Sequence, residues 1–126
     1  MKELTVIKIG GNIVDNEAAL DAVLAKVANI KTPKILIHGG GVMASQMSAK
    51  LGIETKMVEG RRITDYETLR IVTMVYAGWI NKTIVAKLQK IGCNAIGLSG
   101  ADANVVPAKR RPAQPIDFGY VGDVEY

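Results

Sequence analysis

Three observations predict an α/β fold with a mainly parallel sheet covered by helices. Short, β-branched apolar runs alternate with segments of helical periodicity, two of those runs end in glycine turns, and each glycine turn is followed by a helix. Bulk composition agrees. The 126 residues amount to one domain, and 48% hydrophobic with 22% charged residues is ordinary for a globular α/β chain. No apolar run approaches the length of a membrane span. Lys8 interrupts Leu4-Thr5-Val6-Ile7 and no cleavage site follows, so the N-terminus does not read as a signal peptide. A lone cysteine, Cys93, excludes an internal disulfide framework and points to a reducing, cytoplasmic setting.

Taken in order, Glu3–Ile9 reads as a buried strand, being short, apolar and β-branched. Asp15 or Asn16 caps a helix running to about Ile30, with Leu20, Val23, Leu24 and Val27 as its apolar stripe. Thr32-Pro33 ends it, and Ile35-Leu36-Ile37 is a second buried strand leading into three glycines. A helix follows from about Val42 to Leu51, with Gly52 placed to terminate it. Thr55–Val58 and Arg61–Ile63 flank Glu59-Gly60 as a short hairpin.

Thr64-Asp65-Tyr66-Glu67 fits a capping box, with Thr64 as the cap and Glu67 three residues on. The helix it opens runs to about Lys90 before Gly92, with Leu69, Val72, Val75, Tyr76, Trp79, Ile80 and Ile84 as a broad apolar face. Ala95–Leu98 reads as a third strand, Ser99–Asp102 as a turn, and proline-rich Pro107–Pro115 as a loop or hairpin tip. Phe118–Tyr126 has strand character broken by Gly119 and Gly122.

The net charge of +4 would suit nucleic acid, but the basic residues are dispersed apart from Lys109-Arg110-Arg111. No aromatic residue interleaves with that triplet to make a stacking platform, so solvated surface or attraction of small anions explains the charge. With one histidine and one cysteine, a transition-metal site is not expected.

The glycine turns carry the chemistry. In Lys8-Ile9-Gly10-Gly11 and His38-Gly39-Gly40-Gly41, a strand ending in glycines and opening a helix lets backbone N–H groups converge on an anion. Lys8 stands where a lysine either neutralises phosphoryl oxygens or extends into solvent from a strand end. Neither turn is a P-loop. Gly39–Ala44 does satisfy Gly-x-Gly-x-x-Ala, with Glu59 about twenty residues on, which keeps a dinucleotide site open. Arg62 beside Arg61 offers a planar fork for a carboxylate. His38 suits an orienting hydrogen bond to backbone better than a general base.

These residues, with Gly60-Arg61-Arg62-Ile63-Thr64, Ala77-Gly78, Asn81-Lys82, Gly97–Asp102 and Val121–Val124, resemble the amino-acid kinase family in order and spacing. Near Asp102 the chain carries alanine on both sides, where many members have lysine and glycine. The resemblance implies a three-layer αβα sandwich. It implies ATP-dependent, Mg2+-assisted phosphorylation of the side-chain carboxylate of an N-acylated L-glutamate, acetyl or succinyl, in arginine synthesis. Lys8 would then neutralise phosphoryl oxygens, and Gly10, Gly11, Gly40 and Gly41 would supply N–H groups. Gly40 and Gly41 would also border the substrate, whose α-carboxylate Arg62 would hold.

Family members are about twice as long, so residues 1–126 are expected to be the N-terminal, acyl-amino-acid-binding lobe, inactive without a nucleotide-binding lobe. An arginine-insensitive homodimer through the long helix, residues 65–90, is expected, with no nucleic-acid or membrane partner. Two other functions fit parts of the pattern: a non-catalytic small-ligand module of the same fold, and a dinucleotide-binding oxidoreductase fragment.

Overall fold

The computed structural model describes residues 3–125. Strand β1 (Thr5–Ile9) runs into α1 (Gly11–Val14) and α2 (Glu17–Asn29); β2 (Lys34–His38) runs into α3 (Gly41–Lys50). β1 and β2 pair in parallel, register Thr5↔Lys34 through Ile9↔His38, so the two glycine turns leave the sheet side by side. Asn16 caps α2, its side-chain oxygen accepting from the Ala19 N–H at 2.9 Å. Of the predicted stripe, Leu20, Leu24 and Val27 are buried and Val23 packs against them.

β3 (Lys56–Val58) and β4 (Arg61–Ile63) form the expected antiparallel hairpin. Its two-residue turn has positive φ at both Glu59 (50°) and Gly60 (74°), the backbone of a type I′ turn. The long helix follows as α4 (Tyr66–Val72), a π-helical stretch Thr73–Ile80, and α5 (Asn81–Lys90), with helical backbone angles through both junctions. Lys87 on α5 bonds Asp21 (2.7 Å) and Glu17 (3.2 Å) on α2, tying the two helices together. The core is Ile9 and Ile7 of the sheet against Leu20, Leu24, Val27, Ile71, Val75, Ile80, Ile84 and Leu88.

Several expectations are corrected. The strands are half buried: Ile7, Ile9 and Leu36 face the helices, whereas Val6, Ile35 and Ile37 are about half exposed on the other face. Helices therefore cover one face of this parallel pair among the described residues, giving two layers there. The cap of α4 is Asp65, whose Oδ1 accepts from the Thr68 N–H at 2.8 Å. Thr64 is instead claimed by a bridge to Gly119, and Glu67 pairs with Arg70. Ile71 takes a core position, and Trp79, placed on the apolar face by periodicity, is 69% exposed.

Ala95–Leu98 forms no strand among the described residues. The proline-rich segment contributes β5 (Ala108–Arg110), antiparallel to β6 (Gly122–Val124). In that ribbon the basic triplet is neutralised: Lys109 faces Glu125, Arg110 faces Asp117, and Arg111 faces Asp123. No helix among the described residues is long and apolar enough to cross a membrane.

Candidate anion-binding site at the glycine turns

The site lies at the carboxyl ends of β1 and β2, where open α/β sheets bind ligands. Gly10 is the N-cap of α1 and Gly40 that of α3, and neither helix has a side-chain cap. The first N–H groups of both helices thus remain available to an anion, as helix geometry dictates. Gly11 and Gly41 are the first residues of these helices.

Gly40 is glycine because of what sits on it. A Cβ there would lie 2.2 Å from Ile80 Cδ1 and 3.1–3.2 Å from ring carbons of Tyr76. The π-helical stretch of the long helix is therefore seated directly on the turn.

A chain of hydrogen bonds fixes the same turn from its other side. The Lys82 ammonium donates to Asn81 Oδ1 (2.9 Å) and to the Gly97 carbonyl (2.8 Å). With its oxygen so engaged, buried Asn81 directs its amide N–H at His38 Nε2 (3.2 Å). A ring nitrogen that accepts carries no proton, so the imidazole proton resides on Nδ1, which donates to the Gly39 carbonyl at 3.0 Å. In a trans peptide C=O and N–H point opposite ways, so anchoring the Gly39 carbonyl aims the Gly40 N–H away from the histidine ring. That N–H has no protein acceptor among the described residues. The orienting role expected of His38 is what the geometry supports.

Arg62, on β4, reaches across to α3. Its Nη2 donates to the Gly41 carbonyl (3.1 Å) and Ser45 Oγ (3.0 Å), and its Nη1 to Thr55 Oγ1 (3.2 Å). All three acceptors are neutral. The half-buried guanidinium has no carboxylate partner among the described residues, unlike Arg70, Lys87 and Arg111. A cavity of about 330 Å³ opens beside it, with Arg61, Arg62 and Arg111 around Val72, Val121 and Tyr76. Arg111 is engaged with Asp123 and lies 5.7 Å from the centre of the Phe118 ring.

The structure thus brings Arg62, Gly40 and Gly41 together, and sets Gly10 and Gly11 beside them through the strand register. Lys8 lies opposite Ile37 on the exposed face of the sheet and has no hydrogen-bond or carboxylate partner among the described residues. Ser45 and Thr55 carry no sequence signal of their own, while sequence places Tyr76 only on an apolar helix face and Arg111 only in a surface basic triplet. Their place at the site comes from proximity after folding, since Arg62 is 17 residues from Ser45 along the chain.

Asp102 closes its turn by accepting from the Ser99 N–H (2.6 Å) and hydroxyl (2.7 Å), and these bonds hold its carboxyl below the ordinary range. Among the described residues no group of three or more His, Cys, Asp or Glu side chains could hold a metal ion. Glu59 occupies the exposed apex of the hairpin turn, not the end of a parallel strand, where a ribose-binding acid would stand.

Acetylglutamate kinase of Cytophaga hutchinsonii is 60% identical over 126 residues, which are 99% of this chain and 48% of that protein. The enzyme of the same name from Bacteroides fragilis is 58% identical, with coverage of 99% and 48%. That of Methanopyrus kandleri is 40% identical, with coverage of 97% and 48%. The chain spans about half the length of the curated relatives it matches.

Among solved structures, smu.665 of Streptococcus mutans UA159 superposes with a TM-score of 0.82 at 24% identity, over 100% of this chain and 51% of that one. N-acetylglutamate synthase from Neisseria gonorrhoeae does so at 0.72 and 22%, over 96% and 28%; at such identity these two establish fold alone. A sequence model described as the amino acid kinase family matches residues 3–126. With the paired glycine turns, the parallel strands and the arginine hairpin in place, the chain belongs to the amino acid kinase family.

Proposed function

We propose that residues 1–126 form the acylglutamate-binding part of an acetylglutamate kinase, in which the side-chain carboxylate of N-acetyl-L-glutamate is phosphorylated by ATP. One observation carries the reading: a half-buried guanidinium, Arg62, is held against the start of α3 by neutral acceptors only. A cation in that setting lacks the counter-charge that a bound carboxylate supplies. The names of the relatives at 58–60% identity support the substrate assignment.

In this reading a carboxylate oxygen of the substrate attacks the γ-phosphorus in line. The bond from phosphorus to the β–γ bridging oxygen breaks, and ADP leaves. The nucleophile is already ionised, so no general base is required, and positioning with charge stabilisation supplies the rate. Arg62 receives the α-carboxylate, and the N–H groups of Gly40 and Gly41 border the reacting group. Those of Gly10 and Gly11, with the Lys8 ammonium, meet phosphoryl oxygens. Mg2+ would travel with the ATP phosphates and neutralise part of their charge.

The test is a hydroxylamine trap for the acyl phosphate, run on the complete polypeptide that carries these residues with Mg-ATP and N-acetyl-L-glutamate. Hydroxamate formation is the expected result, and none from either the acetyl or the succinyl substrate would overturn the assignment. A homodimer through the long helix goes with this reading, supported by exposed Tyr66, Met74 and Trp79 along it. A monomer in sedimentation would remove that part.

A further inference from the structure

The hydroxyl of Tyr76 has no role in anything described so far. The ring of Tyr76 lies over Gly40, two of its carbons 3.1 and 3.2 Å from where a Cβ would stand, and its Oη is 3.6 Å from the corresponding point on Gly41. The side chain also lines the cavity beside Arg62. Among the described residues Oη makes no hydrogen bond, although the other polar groups around this turn, His38, Asn81, Arg62 and Ser45, are all engaged. A half-buried phenol that keeps a free donor next to an uncompensated guanidinium is placed for a ligand and not for the fold.

We propose that Tyr76 is a substrate-contacting residue: its hydroxyl donates a hydrogen bond to the carboxylate that Arg62 receives. The assignment rests on the acylglutamate reading above and adds a second, neutral donor to the arginine. The two divide the work. Arg62 supplies charge, and Tyr76 supplies direction, because its ring is fixed by packing on Gly40 and moves little when the ligand arrives. The widened π-helical backbone on which it sits is a form of helix found often at functional sites.

The experiment is calorimetric titration of the complete polypeptide with N-acetyl-L-glutamate, repeated with Tyr76→Phe, which keeps the ring and removes one oxygen. The dissociation constant should rise about tenfold or more, the usual effect of losing a hydrogen bond to a charged group, with no change in melting temperature. The α-amide of N-acetyl-L-glutamate, whose carbonyl accepts only a weaker neutral hydrogen bond, should lose clearly less affinity in the variant than the acid does. Equal affinity of parent and variant for the acid overturns the proposal. So does an equal loss for acid and amide, which would mark a packing effect. Absence of binding to the parent protein would instead sink the acylglutamate reading, so the two failures are told apart.

Discussion

Replacing Gly40 by alanine is the most informative single change, because its effect is written in the neighbours. The new methyl would stand 2.2 Å from Ile80 Cδ1, against a comfortable carbon–carbon separation of about 3.5–4.0 Å. Ile80 is 2% exposed, and the Tyr76 ring closes the adjacent space at 3.1–3.2 Å. Relief requires Ile80 to leave its rotamer or the long helix to retreat, and overpacking of this kind costs about 1–3 kcal/mol.

Gly10 is the matched control. It too is an N-cap glycine after a parallel strand, but a Cβ there meets nothing within 4 Å and its φ of −89° suits alanine. Gly10→Ala should therefore change stability by less than about 1 kcal/mol, because the less free unfolded chain offsets the poorer N-cap that alanine makes. The two variants should differ by about 1–3 kcal/mol in urea unfolding followed by circular dichroism. Gly40→Ala should also weaken acylglutamate binding, since it displaces Tyr76 and the turn together. Equal unfolding midpoints for the two variants would refute the claim that the long helix rests on Gly40.

Arg62→Ala should weaken binding of N-acetyl-L-glutamate by about 1.5–3 kcal/mol, read by calorimetry, and unchanged affinity would move the carboxylate site elsewhere. Lys8→Ala should lower turnover by roughly 100- to 1,000-fold while leaving acylglutamate affinity and melting temperature as they were, because this exposed side chain has no structural partner. The Thr68 N–H, then the Thr68 hydroxyl, hold the Asp65 carboxyl below its ordinary 3.8. Its contribution is therefore fully present above that pH and is lost as the pH falls below it. Asp65→Asn keeps a competent cap without a titrating group, so its melting temperature should match the parent near neutrality and fall less steeply in acid. Parallel acid profiles would count against it.

What the sequence made legible is the part governed by local rules. The β3–β4 hairpin follows from Glu59-Gly60 because a type I′ turn asks for the two backbone angles these residues adopt, and α2 follows from Asn16 and its apolar spacing. The cap of α4 lies one residue beyond the capping-box position because Asp65 is itself a good cap and Thr64 is drawn into a bridge with distant Gly119. Ala95–Leu98 has strand-like residues, but a strand also needs a partner, and pairing is not a local property.

The glycine turns and the arginine hairpin, which the fold brings together, could each be read from sequence. The seating of Tyr76 and Ile80 on Gly40 could not, since 36 and 40 positions of sequence separate them and the widened helix shifts its own periodicity. The basic triplet likewise looked free until β5 and β6 paired and set acids against it.

His38 has one more use. It is the chain's single histidine, and its Nδ1-protonated form depends on an unbroken line from Lys82 through Asn81. Within residues 1–126 its ring therefore gives one set of nitrogen and proton resonances, and the tautomer is directly readable from nitrogen chemical shifts. A spectroscopist can follow the glycine turn through ligand addition or mutation without introducing any label beyond nitrogen-15. The turn carries its own reporter.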